Sequence, residues 1–337
     1  MKQRKKTVRN IVFLAVILFI AYLALKDSWS NIWMELCRTS GEVILAVVLC
    51  SILYNCFDGI AITKLINNCD GEFPWYHGIL CSFYYSFYRV VTFGSGTAAA
   101  GMYYVSRLGI PVSKSLGIFT INYIMQRITI CLYFVLSFLI HFPKMNGLYR
   151  DYAKYMVLGV ILAVAVAATL IVICVCEPLH RAAFRAAEIV ADKYGKGKSW
   201  SRKLDEMEEK ANIVRAEAEQ LLKDKKLLAE VLLLNAIKLT MWYLIPALLF
   251  GMIHSPDFAF LLSVIAMVTA LAGVIPAPGG VGAVETVFVL MFTPVVGKVT
   301  AASSMLLYRF ATYILPFLFG AIVQLGVWKA KKKKAGM

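Results

Sequence analysis

The stretch Ile275-Pro-Ala-Pro-Gly-Gly-Val-Gly-Ala-Val-Glu285 interrupts an otherwise apolar run. Two prolines and three glycines break a helix there, and a carboxylate follows where hydrocarbon is expected. Within a bilayer, irregular backbone survives only where protein or a water-filled cavity satisfies its polar groups. An ionisable residue at that depth points to a functional site. The stretch therefore reads as a broken-helix transport or lipid-handling site, and it decides the fold: a helical membrane protein built around interrupted spans.

Composition agrees. Hydrophobic residues form 60% of the 337-residue chain and charged residues 16%, against roughly 25% charged in ordinary soluble domains. The formal net charge is +15, but much of it lies at the two ends. Lys2, Arg4, Lys5, Lys6 and Arg9 precede the first apolar segment, and Lys329 and Lys331 to Lys334 follow the last. The positive-inside rule then puts both termini in the cytoplasm, with anionic lipid rather than nucleic acid as the neighbour. The run from Ile11 to Leu25 has a basic front like a signal peptide but no small-residue cleavage site, so it reads as a retained span. The eight cysteines include no pair at zinc-ligand spacing, and His77, His141, His180 and His254 are scattered. Neither a disulfide framework, a metal nor a cofactor is expected.

A spanning helix needs about 20 apolar residues. Candidates are 9–26, 41–66, 75–93, 115–140, 153–176, 228–252, 257–276, 281–296 and 299–328. The segment 75–93 runs into Gly94-Ser-Gly96-Thr97, and 257–276 is parted from 281–296 only by the Pro/Gly break. Each break leads through a return segment to a lysine (Lys114, Lys298) and then to a long span with an arginine (Arg127, Arg309). Glycine-interrupted segments at corresponding positions of two halves are the mark of an inverted repeat with its binding site at the breaks. The expected fold class is all-α: a polytopic integral membrane protein of about seven to nine membrane segments, including two broken or re-entrant hairpins in an inverted repeat. One membrane domain over 1–337 is expected. Its parts are a first half 9–176 with the Gly94–Gly96 break, a cytoplasmic amphipathic region 177–227, a second half 228–328 with the Pro276–Gly282 break, and a basic tail 329–337. In the amphipathic region Leu204, Met207, Ala211, Val214, Ala218 and Leu221 form an apolar stripe that fits packing on the membrane domain, or docking of a partner.

Asp58, Arg89, Arg127, Lys238, Glu285 and Arg309 lie within apolar segments, where each charge costs ~3 kcal/mol on insertion scales. Asp58 and Lys238 fit snorkelling or structural pairing as well as binding. Arg127, Arg309 and Glu285 accompany the breaks and are the leading binding residues. Arginine suits a phosphate because its planar fork donates two parallel hydrogen bonds and keeps its charge when desolvated. Half-helix N-termini after Gly96 and Gly280 would add N–H donors. Glu285 would meet a cationic headgroup, or hold an arginine when no substrate is bound. Gly94, Gly96, Pro278, Gly279, Gly280 and Gly282 shape the backbone of the site.

Pro278-Gly-Gly-Val-Gly-Ala-Val-Glu285 with Arg309 in the following span resembles the second signature of the lysylphosphatidylglycerol synthase transmembrane-region family. Gly94-x-Gly96, Tyr103-Tyr104-Val-Ser-Arg107-Leu-Gly109 and Gln126-Arg127 are similar to its first. The sequence departs from that pattern at Thr97 and Gln126, where acidic residues are frequent, so the first half carries less negative charge. The resemblance implies a multi-pass protein of the bacterial cytoplasmic membrane that moves a phospholipid headgroup, aminoacylated phosphatidylglycerol or a related polar lipid, across the bilayer. It also implies a role in antimicrobial resistance. In two-domain relatives a soluble domain makes the aminoacyl lipid; none is expected in this chain, so a separate synthase is a possible partner. Two alternatives stand beside the flippase: a phosphatidylglycerol lysyltransferase or its membrane subunit, and a small-anion transporter.

Overall fold

The computed structural model describes residues 39–150, 223–251, 257–275 and 277–334, with isolated residues at 34, 37 and within 157–169. The expected span 9–26, most of 153–176, the amphipathic stripe and Pro276 lie outside the described residues. Among those described, all regular structure is helical. The elements are α1 (Gly41–Asp70), α2 (Trp75–Val91), α3 (Thr97–Ser106), α4 (Val112–Ile140), α5 (Phe142–Leu148), α6 (Lys225–Gly251) and α7 (Phe258–Val274). A 3-10 turn (Pro278–Gly280) leads to α8 (Ala283–Val296) and α9 (Lys298–Arg309); a π-helical turn (Phe310–Ile314) then runs into α10 (Leu315–Lys334).

Four of these helical stretches are long and apolar enough to cross a membrane: Gly41–Cys69, Val112–Ile140, Lys225–Gly251 and Lys298–Lys329. Phe258–Val274 and Ala283–Val296 are apolar but shorter. Several expected boundaries shift by a few residues, and two of the differences concern the tail and the break. The last helix continues through Lys334, so the first lysines of the basic tail extend a helix. The second half-helix begins at Ala283 and not after Gly280, because Gly279, Gly280 and Gly282 all hold positive φ, a conformation that cannot propagate a right-handed helix.

The chain forms two compact units. One gathers the residues up to Asn55, Phe83–Thr97 and Thr240 onward; the other holds Cys56–Ser82 and Ala98–Leu239. In the first, α7 packs on α8 and α8 on α9. Its core is an aromatic ladder: Phe250 lies 5.0 Å from Phe292, Phe292 4.5 Å from Phe288, and Phe288 stacks on Tyr308 at 5.3 Å. Phe87 of α2 stacks on Phe317 of α10 at 5.1 Å, and Gly320 lets the α2 backbone approach so closely that no Cβ would fit. In the second unit Gly59 and Gly78 do the same for α1 and α2. Small residues are the usual means by which apolar helices come together without a hydrophobic drive.

Candidate functional site

The first break begins where α2 stops. The Gly94 N–H reaches back to the Arg89 carbonyl at 2.8 Å and the Phe93 N–H to the Val90 carbonyl at 3.3 Å. That double closure is a Schellman motif, whose penultimate position is left-handed and usually glycine. Here it is Phe93, at φ 48°, a conformation that costs an L-residue about 1–2 kcal/mol. Thr92 stitches the turn: its hydroxyl donates to the Tyr88 carbonyl at 2.7 Å and accepts from the Gly96 N–H at 2.8 Å. Gly96 sits so tightly on Thr92 that a Cβ would lie 2.8 Å from its methyl. The Thr97 hydroxyl returns to the Gly94 carbonyl at 2.9 Å as α3 starts.

The second break is held by charge. Arg309, at the end of α9, donates from Nε to Glu285 Oε1 at 2.7 Å and from Nη2 to Oε2 at 2.9 Å. Nη2 also reaches the Gly280 carbonyl at 2.6 Å. Glu285 is the third residue of α8, and its Oε2 accepts the Gly282 N–H at 2.8 Å, half of a capping box. One carboxylate thus closes a helix start and neutralises an arginine. The pair is partly open, with side-chain exposures of 14% for Arg309 and 28% for Glu285.

The two breaks meet. A side chain built on Gly94 would lie 3.4 Å from Gly279, and one on Gly279 would lie 3.3 Å from the Phe93 backbone and 3.2 Å from the Tyr313 hydroxyl. Both glycines have positive φ, 88° and 63°, so conformation favours glycine at both, and at Gly279 the tight contact adds to it.

Beside them the last span departs from α-helix for a reason visible in the sequence. Pro316 has no N–H, which leaves the Thr312 carbonyl without its helical donor. The Leu315 N–H bonds to the Phe310 carbonyl one residue further back, which also releases Ala311. Side chains take both places: Ser51 Oγ donates to the Ala311 carbonyl at 2.6 Å, and Arg89 Nη2 to the Thr312 carbonyl at 3.0 Å. Short π-helical turns of this kind are frequent at functional sites. Arg89 also lies over the Trp242 ring at 5.4 Å, Trp242 stacks on Tyr54 at 3.6 Å, and Arg309 lies over Tyr313 at 5.3 Å.

Of the residues singled out from sequence, Arg309, Glu285, Arg89, Gly94, Gly96 and Gly279, Gly280 and Gly282 therefore come together in one unit. Pro278 opens the 3-10 turn. Arg127 belongs to the other unit, where its guanidinium lies 5.0 Å from the Tyr123 ring one turn earlier on α4. That unit also holds Asp58 and Lys238, which pair with each other: Nζ to Oδ1 is 2.7 Å, and the Ser82 hydroxyl donates to Oδ2 at 2.8 Å. Sequence reasoning passed over Trp242, Tyr313 and Phe93. Pro316 and the one-turn spacing of Arg309 and Tyr313 were signals for the second of these. Among the described residues no group of three His, Cys, Asp or Glu side chains could hold a metal.

These helices and breaks define a multi-pass helical membrane protein. Residues 10–320 match the family described as the lysylphosphatidylglycerol synthase TM region, and the chain belongs to that family. Membership associates it with membrane proteins of lysylphosphatidylglycerol biosynthesis or flipping. No curated protein matches the chain.

Proposed function

We propose that the protein is a flippase or scramblase of the bacterial cytoplasmic membrane, with both termini cytoplasmic. It moves the headgroup of an anionic or aminoacylated phospholipid past the paired breaks while the acyl chains stay in the bilayer. The observation that carries this reading is the Arg309–Glu285 pair set across the Pro/Gly break against the Gly94 turn. An arginine balanced by a part-exposed carboxylate beside a loop can exchange one anion for another. A lipid phosphate offers the guanidinium the same two-point acceptor as Glu285, and a released Glu285 can receive an ammonium such as a lysyl headgroup carries. The exchange keeps charge paired at each step, which matters where unpaired charge is expensive.

Arg127, in the other unit, is a second phosphate ligand on this reading. Asp58 and Lys238 already satisfy one another within the helices, so in our reading they hold helices together and do not touch the lipid. The family description also fits a membrane subunit that serves a lysylphosphatidylglycerol synthase, and a separate synthase remains a natural partner.

The test is translocation of fluorescent phospholipids in proteoliposomes. Wild type should expose inner-leaflet label rapidly. Arg309→Ala should slow this by roughly 10- to 100-fold, the worth of a lost charge-assisted contact. Equal rates for well-folded wild type and Arg309→Ala would sink the proposal. New aminoacyl lipid in cells expressing this chain alone would favour the synthase instead.

A further inference from the structure

Arg309 is already occupied by Glu285 and Gly280, whereas its neighbour Arg89 is not. Among the described residues no carboxylate lies within ion-pair distance of Arg89. Its Nη2 is held by the Thr312 carbonyl and its face by Trp242, yet its Nε is buried without a hydrogen-bond partner. Two adjoining side chains share that condition: the Tyr313 hydroxyl and the Trp242 indole N–H are also buried and unpartnered. Tyr313 follows Thr312 directly in the π-helical turn, and Arg309 lies over its ring.

Buried polar groups are nearly always paired, and an unmade bond costs the full desolvation of the group. Three unmet groups, on Arg89, on the Trp242 ring it covers and on the residue after the Thr312 it binds, all able to donate and one of them a net cation, are complementary to a single kind of ligand: a compact oxyanion with several acceptor oxygens. We propose that Arg89, Trp242 and Tyr313 form a dock for a phosphate or phosphodiester group, separate from the Arg309–Glu285 pair. It rests on the reading of this unit as a headgroup path and gives that path a resting position. The phosphate lodges on the uncompensated Arg89, while the Arg309–Glu285 pair one side chain away opens for the remainder of the headgroup.

The dock is tested by equilibrium binding to the full chain in neutral maltoside micelles, with three probes: short-chain phosphatidylglycerol, inorganic phosphate and the matching diacylglycerol. Arg89→Gln should weaken phosphatidylglycerol binding roughly 10- to 100-fold, and Arg89→Lys, which keeps a point charge, by less. Tyr313→Phe removes a hydroxyl with no partner in the fold, so it leaves folding intact and should weaken binding by about three- to tenfold. Displacement of the lipid by inorganic phosphate, with the same sensitivity to Arg89, assigns a site for the anion itself. Sensitivity confined to phosphatidylglycerol assigns a headgroup site. Wild-type affinity in both Arg89→Gln and Tyr313→Phe, or equal binding of diacylglycerol, overturns the dock; if Arg89→Gln does not fold, Tyr313→Phe alone decides. Loss of binding in these variants alongside a wild type that moves no lipid would refute transport and leave the dock standing.

Discussion

Among the described residues, two of the acid–base pairs, Lys238–Asp58 and Arg309–Glu285, are built differently. Lys238–Asp58 joins α6 to α1 at 2.7 Å, with exposures of 0% and 2%, and the Ser82 hydroxyl covers the second carboxylate oxygen. Arg309–Glu285 has the same shortest distance but is several times more open. It joins the end of α9 to the first turn of α8, and both partners also bond the glycine loop, Arg309 to the Gly280 carbonyl and Glu285 to the Gly282 N–H. A sealed pair has no route for exchange, because separating its members strands each charge in a medium that cannot solvate it. A pair beside a loop with part of its surface accessible can trade partners. Burial and backbone context, rather than distance, distinguish a tether from a site.

The sharpest way to break this comparison is to cut each pair in turn. Lys238→Met should cost about 3–5 kcal/mol by stranding Asp58, and Asp58→Leu with Lys238→Met should recover most of that, since apolar replacements of a buried pair are nearly neutral. Thermal unfolding in micelles reads both. A single variant as stable as wild type would show the pair to be open to water and erase the distinction. Glu285→Gln should cost less, about 1–3 kcal/mol, because Arg309 keeps the Gly280 carbonyl. It should also tighten binding of an anionic headgroup, since the competing carboxylate is gone; weaker binding of phosphatidylglycerol would argue that Glu285 is not a competitor.

The membrane character, the breaks and the Glu285 and Arg309 positions were legible because prolines, glycines and charges are rare letters in an apolar text. Most helix limits followed from the same contrast. Which charged residue pairs with which was not legible. Asp58 and Lys238 stand 180 residues apart, and nothing local to either names the other. Arg127 and Arg309 occupy matching places after their breaks, yet Arg127 belongs to the other unit; resemblance between halves carries no information on which half-turns fold together. Phe93 hid for another reason: the left-handed position of the turn falls one residue before the glycine that advertises it.

The contact between the breaks supplies the finer tests. Gly279→Ala should cost about 1–2 kcal/mol from its positive φ alone, with more added as the new methyl meets Tyr313 and Phe93. The same change at Gly280, also at positive φ but in ordinary contact with Val284 alone, at 3.5 Å, should show the conformational share without the contact to the first break. The difference between the two in unfolding temperature isolates the packing of one break on the other; identical losses would mean that the breaks do not support each other. The smallest effect is expected from Thr92→Val, which keeps the shape and removes the hydroxyl that joins Tyr88 to Gly96. It should cost about 1 kcal/mol and speed amide exchange at Gly96, whose N–H loses its acceptor. Protection at Gly96 that survives the change would show that the Thr92 hydroxyl does not hold the first turn, in contrast to the second break, where Glu285 and Arg309 bond the backbone.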